Sequence, residues 1–118
     1  MLTASLLADD SRIVRVHAGA KLFVQGGKSN MMFVLLSGQA RILVNDIEVE
    51  RLAIGDPVGE LALIDYEPHS ATVEAITECK FAGVDERTFY RLVAGTPEFA
   101  LDLMRTLARR LRNTDKML

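Results

Sequence analysis

Signals for chain reversal recur about every ten residues through the first three quarters of this sequence, with short apolar or alternating runs between them. The reversals are Gly19, the pair Gly26–Gly27, Ser37–Gly38, Asn45–Asp46 and Gly55–Asp56–Pro57. Such spacing predicts a β-roll, barrel or sandwich of short strands. "RIVRVHAG" alternates, with Val14 and Val16 on one face and Arg15 and His17 on the other. "MMFVLL" (31–36) is continuously apolar and suits a strand buried on both faces. In "QARILV" residues Ala40, Ile42 and Val44 share a face, and Asn45–Asp46 makes a two-residue hairpin turn because both types tolerate positive φ. "IEVERL" then places Ile47 and Val49 inward and Glu48 and Glu50 outward, and "SATVEAI" and "CKFAGV" complete the strand-like part.

After Val84 the period changes. Asp85 is placed to cap a short helix over about 86–94, which Gly95 ends. Thr96, Pro97 and Glu98 then supply the cap, first position and first-turn acid of a second helix, about 97–116. Along it Ala100, Met104, Leu107, Leu111, Thr114 and Leu118 step by fours and threes, the spacing of a coiled-coil seam. Phe99 and Leu103 form a second apolar line, so the helix can serve its own β domain and a partner at once. The expected fold is therefore mostly β with α: an antiparallel β-roll over about 12–84 followed by two C-terminal helices, as one domain.

Composition narrows the functional classes. A chain of 118 residues, 49% apolar and 25% charged, is suited to one globular core. A net charge of −2 sets up no global basic field toward nucleic acid or an anionic membrane. The long helix has a modest basic excess, Arg105, Arg109, Arg110, Arg112 and Lys116 against Glu98, Asp102 and Asp115, which reads as a solvated face. No apolar run approaches membrane-spanning length, and "MLTASLLADDSR" lacks the basic start and apolar core of a signal peptide. Cys79 is the sole cysteine, so no disulfide can form within the chain, which fits a cytoplasmic setting.

Three separated segments agree in order and spacing with one family. "QGGKSNMMFVLLSG" carries two turn glycines, "GDPVGELALIDYEPHSATV" joins a glycine–glutamate pair to a proline and an alternating strand, and "LMRTLARRLRNTDKML" is a long amphipathic helix. Together they resemble a cyclic-nucleotide-binding domain, most closely the effector half of the bacterial catabolite-activator and fumarate–nitrate regulator superfamily. The resemblance covers nearly the whole chain from about residue 12. It implies a jelly-roll-like β-roll with a short helix inside the phosphate-binding cassette. It also implies a non-catalytic regulatory module for cAMP or cGMP that needs no cofactor and dimerises through the C-terminal helix. Because the sequence stops soon after that helix, no winged helix-turn-helix is expected, and hence no DNA binding by this chain alone.

The resemblance also implies roles for single residues. Glu60 stands at the position of the glutamate that hydrogen-bonds the ribose 2′-hydroxyl, and Gly59 at that of the glycine over which the sugar-phosphate passes. The N–H groups around Leu61 and Ala62 match those that face the cyclic phosphate, and Ser70 and Ala71 flank it on the next strand. His69 stands where the family has an arginine, and Val58 where a phenylalanine is common. Arginine presents a permanently charged planar fork, whereas histidine is shorter and mostly neutral at pH 7. Losing one charge-assisted bond of this kind costs ~1.5–3 kcal/mol, roughly ten- to hundredfold in affinity.

Plainer readings stand beside these. Glu60 serves equally as a first-turn acid at a helix N-terminus, and His69 as an exposed turn residue after Pro68. Gly26, Gly38 and Gly55 are most simply turn residues, and Cys79 a small strand residue with no sign of an activated thiolate. The competing function is a ligand-independent dimerisation or interaction module with a degenerate pocket. An enzyme of the cupin type needs a cluster of metal-binding histidines, and only His17 and His69 exist, without ligand-like spacing.

Overall fold

A computed structural model describes residues 12–117. The N-terminal segment 1–11, the side chains of residues 114–117 and all of Leu118 lie outside the described residues. The strands are β1 (Arg12–Val16), β2 (Lys21–Phe23), β3 (Met31–Ser37), β4 (Ala40–Val44), β5 (Ile47–Arg51), β6 (Pro57–Val58), β7 (Thr72–Ala75) and β8 (Cys79–Asp85). Three helices accompany them: α1 (Leu61–Ile64), α2 (Glu86–Gly95) and α3 (Pro97–Met117). The chain divides into two compact units, one ending at Glu86 and the other beginning at Arg87.

In the first unit the strands form two antiparallel four-stranded sheets, in the orders β1-β8-β3-β6 and β2-β7-β4-β5. Consecutive strands switch sheets repeatedly, as a β-roll requires. Val16, Leu35, Val58 and Phe81 from one sheet meet Ala40, Ile42, Val73 and Ala75 from the other in a single apolar cluster. The run 31–36 forms β3 at the interior of its sheet, and Met32, Val34 and Leu35 are fully buried. Side chains on both faces of β3 are therefore removed from water, the cause of its unbroken apolar character.

The turns are specified by local chemistry. Asn45 and Asp46 adopt φ of 52° and 65°, the left-handed pair that a tight hairpin needs, and Val44 pairs with Ile47 across them. Gly38 has φ +93°, and a Cβ there would run into the Glu78 carbonyl and the Cys79 sulfur. No residue with a side chain fits that turn without moving the neighbouring strand.

One sequence expectation fails. Ile47 and Val49 do not face inward; they are 65% and 37% exposed. The register explains it. Ile42 pairs with Glu50 and Leu43 with Glu48, leaving Val49 as an extra residue on β5, a β-bulge that slips the alternation by one. Ala40 and Ile42 do share the core face of β4, with Val44 half-buried, while Leu43 is buried outside that cluster. Glu48 turns instead to Arg41 Nη1 at 3.3 Å and Arg51 Nε at 2.8 Å, while Arg41 also donates to Glu74 at 2.6 and 2.9 Å. Hydrogen bonding to Arg51 holds the Glu48 carboxyl below its ordinary range, and hydrogen bonding to Glu74 pushes the Arg41 guanidinium up. The ladder runs across β7, β4 and the edge strand β5, where interspersed charge discourages pairing with another sheet.

The second unit is the helix pair. Thr96 lies between α2 and α3; its N–H donates to Leu92 O at 2.8 Å and its carbonyl accepts from Phe99 N–H at 2.9 Å. Phe89 of α2 meets Phe99 of α3 edge-on, with centroids 5.8 Å apart. On α3 the buried line is Phe99 and Leu103, whereas Met104 and Leu111 are 62% and 64% exposed.

Candidate functional site

The glycine–glutamate segment lies between β6 and α1, and residues 65–71 lead from α1 into β7. Val58 is buried and pairs with Phe33, which anchors the segment to β3. At Gly59 the backbone turns with φ +74°. A Cβ there would lie 3.0 Å from His69 Cε1, 3.2 Å from Phe23 Cε2 and 3.3 Å from His69 Nδ1. The bare glycine is thus required twice, for its conformation and for the close approach of two rings.

Glu60 occupies the N-cap position of α1 with helical backbone angles and makes no side-chain capping bond. Its side chain is buried, so it is not a solvated first-turn acid. α1 has only four residues, and its macrodipole is correspondingly small. Leu63 and Ile64 both donate to the Glu60 carbonyl at 3.0 Å, and Ala62 donates to the Gly59 carbonyl at 3.2 Å. The Ala62 N–H therefore has an internal acceptor at the long end of the range, which an incoming anion must share or displace. Ala62 and Leu63 are buried where α1 packs on β3, and Leu61 is half-buried.

His69 is the most informative residue. It is not the exposed turn residue that its position after Pro68 allows; only 4% of it reaches solvent. Its N–H donates to Gly27 O at 2.9 Å and its carbonyl accepts from Gly26 N–H at 2.8 Å, a two-way bridge to the glycine turn. Its ring lies on the Phe23 ring with centroids 3.7 Å apart and planes 10° from parallel. Both ring nitrogens are buried without a hydrogen-bond partner. Leaving such a group unsatisfied costs about 1–3 kcal/mol. Burial lowers the imidazole pKa from its ordinary value, so the ring is neutral at pH 7.

Ser70 is exposed and Ala71 half-buried as the chain enters β7. Thr72 Oγ1 accepts from Gln25 N–H at 2.9 Å, a second tie between the loop after β2 and the strand after His69. The structure therefore brings Gly59 and His69 together, with Glu60 beside Gly59 in the chain. Sequence reasoning missed Phe23 and the Gln25–Thr72 tie. The only local signal was an aromatic two residues before Gln25, and its partner lies 46 positions further on.

The other residues singled out are elsewhere. His17 Nδ1 is 2.6 Å from Glu78 Oε1 in an exposed pair. Cys79 is buried, its thiol donates to the carbonyls of Gln39 and Thr77, and burial pushes its pKa up. Among the described residues no group of three or more His, Cys, Asp or Glu side chains is arranged to hold a metal ion. Among them, too, no helix is long and apolar enough to cross a membrane.

Residues 13–96 match the family described as the cyclic nucleotide-binding domain. A cAMP-dependent protein kinase regulatory subunit of Schizosaccharomyces pombe is 38% identical over 87% of this chain and 24% of its own. A CRP-like cAMP-activated global transcriptional regulator of Mycobacterium tuberculosis is 30% identical over 85% of this chain and 47% of its own. The chain thus spans less than half the length of these curated relatives. The catabolite activator protein of Thermus thermophilus superposes with a TM-score of 0.82 at 23% identity, covering 98% of this chain and 57% of that one.

Proposed function

This chain belongs to the cyclic nucleotide-binding domain family, and from that premise we propose that it is a regulatory module that binds cAMP or cGMP without transforming it. The observation that carries the reading is a buried imidazole, its ring nitrogens without hydrogen bonds, against the bare backbone of Gly59, next in the chain to the buried Glu60. In this proposal Glu60 receives the ribose 2′-hydroxyl, Gly59 lets the sugar-phosphate pass over bare backbone, and His69 faces the phosphate. The N–H groups of Leu61 and Ala62 and the chain at Ser70 and Ala71 complete the cradle. Both named relatives are cAMP-responsive by name, which favours cAMP as the first ligand to try.

The substitution of imidazole for guanidinium weakens the anion contact without removing the cradle. The ligand orders residues 58–70 and biases one of two pre-existing arrangements of the C-terminal helices. The exposed Met104 and Leu111, on one line of α3, support homodimerisation through that helix as the output.

Thermal unfolding with cAMP, cGMP and 5′-AMP tests the reading. A ligand at a hundred times its dissociation constant adds ~2.7 kcal/mol, raising Tm by on the order of 10 °C for a domain of this size. A cyclic nucleotide that stabilises the protein where 5′-AMP does not supports the proposal. No shift with either cyclic nucleotide at millimolar concentration removes it. The second reading, a pairing module with a degenerate pocket, draws on the packing of His69 against Phe23 and Gly59, and it predicts dimers indifferent to nucleotide.

A further inference from the structure

The geometry points to His69, stacked on Phe23 with Gly59 at the edge of the two rings, as a proton-coupled latch: it receives an anionic phosphodiester and takes up one proton from solvent as it does so. This rests on the nucleotide-binding reading and adds a regulatory property to the same site, a dependence of occupancy on pH.

Three observations carry it. First, a neutral imidazole has one N–H and one bare nitrogen, and here neither has a partner in a buried position. A phosphate oxygen satisfies the donor, and protonation converts the second nitrogen to a donor as well. Second, the ring is not free to swing out to water. Its backbone is tied in both directions to Gly26 and Gly27, and its face lies on Phe23. Third, no charged side chain is hydrogen-bonded to the ring. On the elements packed around it, Lys21 of β2, Lys28 after the glycine turn and Asp65 and Glu67 on its own loop are exposed, and Glu60, next in the chain to Gly59, is buried. Burial is the cause that moves this imidazole, downward.

The sign follows. Ligand-free, the ring is neutral at pH 7. A phosphodiester against it favours the imidazolium and raises its pKa. Binding therefore takes a proton from the buffer and places it on the ring nitrogen. Affinity is greatest below the free-state pKa, falls by at most tenfold per pH unit between the free and bound values, and is flat above both. Phe23 is a positioning residue in this scheme. It buries the ring and so sets the lower edge of the window.

Calorimetry of the whole chain with cAMP, at pH 6, 7 and 8 in two buffers of different ionisation enthalpy, reads the proton directly. The expected result is severalfold weaker binding at pH 8 than at pH 6, with a heat that changes with the buffer as uptake of up to one proton requires. His69→Arg should bind more tightly at pH 8, with heats independent of buffer. Phe23→Leu should shift the pH window upward while the protein still melts cooperatively. Binding by the wild type with buffer-independent heat and no pH slope overturns the latch and leaves nucleotide binding standing. Binding by His69→Arg alone, at every pH, also overturns it, since the imidazole then receives no phosphate. Failure of both proteins to bind cAMP and cGMP removes the nucleotide-binding reading together with the latch.

Discussion

The ring of His69 lies flat against that of Phe23, centroids 3.7 Å apart, and both stand where a Cβ on Gly59 would crowd them. This three-residue arrangement joins β2, the segment before α1 and the loop before β7. It explains why the glycine is needed and why the histidine is shut away from water.

Gly59→Ala is the simplest perturbation of it. The left-handed backbone alone costs a non-glycine residue about 1–2 kcal/mol, and the new methyl must displace the His69 or Phe23 ring. Chemical denaturation should show a loss of about 2–3 kcal/mol. Cyclic nucleotide binding should fall at least tenfold. Gly38→Ala, at the turn against Glu78, is the comparison: it should destabilise the fold at least as much, yet leave the affinity of the folded fraction within about twofold.

Stability of the ligand-free protein should decline on the acid side. The His69 pKa is depressed in the folded state, so the unfolded chain takes up the proton first. The contribution of the neutral ring is complete above the unfolded value of about 6.5 and is lost as pH falls from there through the folded value. Melting temperatures measured from pH 7.5 to 5 should fall more steeply for the wild type than for His69→Gln. Parallel curves would mean that this ring does not titrate with folding.

Glu60→Gln should keep the fold but lose affinity for the ribose. Replacing a charged acceptor in one hydrogen bond costs ~1.5–3 kcal/mol, roughly ten- to hundredfold in dissociation constant. With 2′-deoxy-cAMP the wild type should show the same loss, and the variant little further loss. Additive losses would place Glu60 away from the sugar.

Much of the fold was legible because it is specified by neighbours in the chain. Asn45–Asp46 announces a hairpin, and Gly95, Thr96 and Pro97 mark a break between helices that the structure places at Thr96. The inward face of β5 was not legible. Whether Val49 is counted in the register depends on pairing with β4, and the alternation of apolar residues carries no sign of the bulge. Within the site, Gly59, Glu60 and His69 stand out by type and spacing. The burial of His69 does not, since Pro68 beside it is exposed and Phe23 reaches it from a distant strand. The likeness of the C-terminal helix to a coiled-coil seam was visible, and the structure adds that, among the described seam residues, Met104 and Leu111 are exposed.

Leu111→Glu should separate pairing from folding. Leu111 is 64% exposed, so the substitution should change stability of the monomer by no more than about 0.5 kcal/mol. Sedimentation at micromolar concentration should show dimers of the wild type and monomers of the variant. Equal masses for the two proteins would take the seam out of the interface.

The central claim is that His69 faces the phosphate of a bound cyclic nucleotide. Long-range proton–nitrogen spectra of the His69 ring, recorded at pH 7 with and without saturating cAMP and cGMP, test it at the atom concerned. The account predicts a neutral ring in the free protein that moves to the imidazolium pattern on binding, together with shifts of the Gly59, Ala62 and Ala71 amides. Ring and amide signals that stay in place at millimolar nucleotide would contradict it.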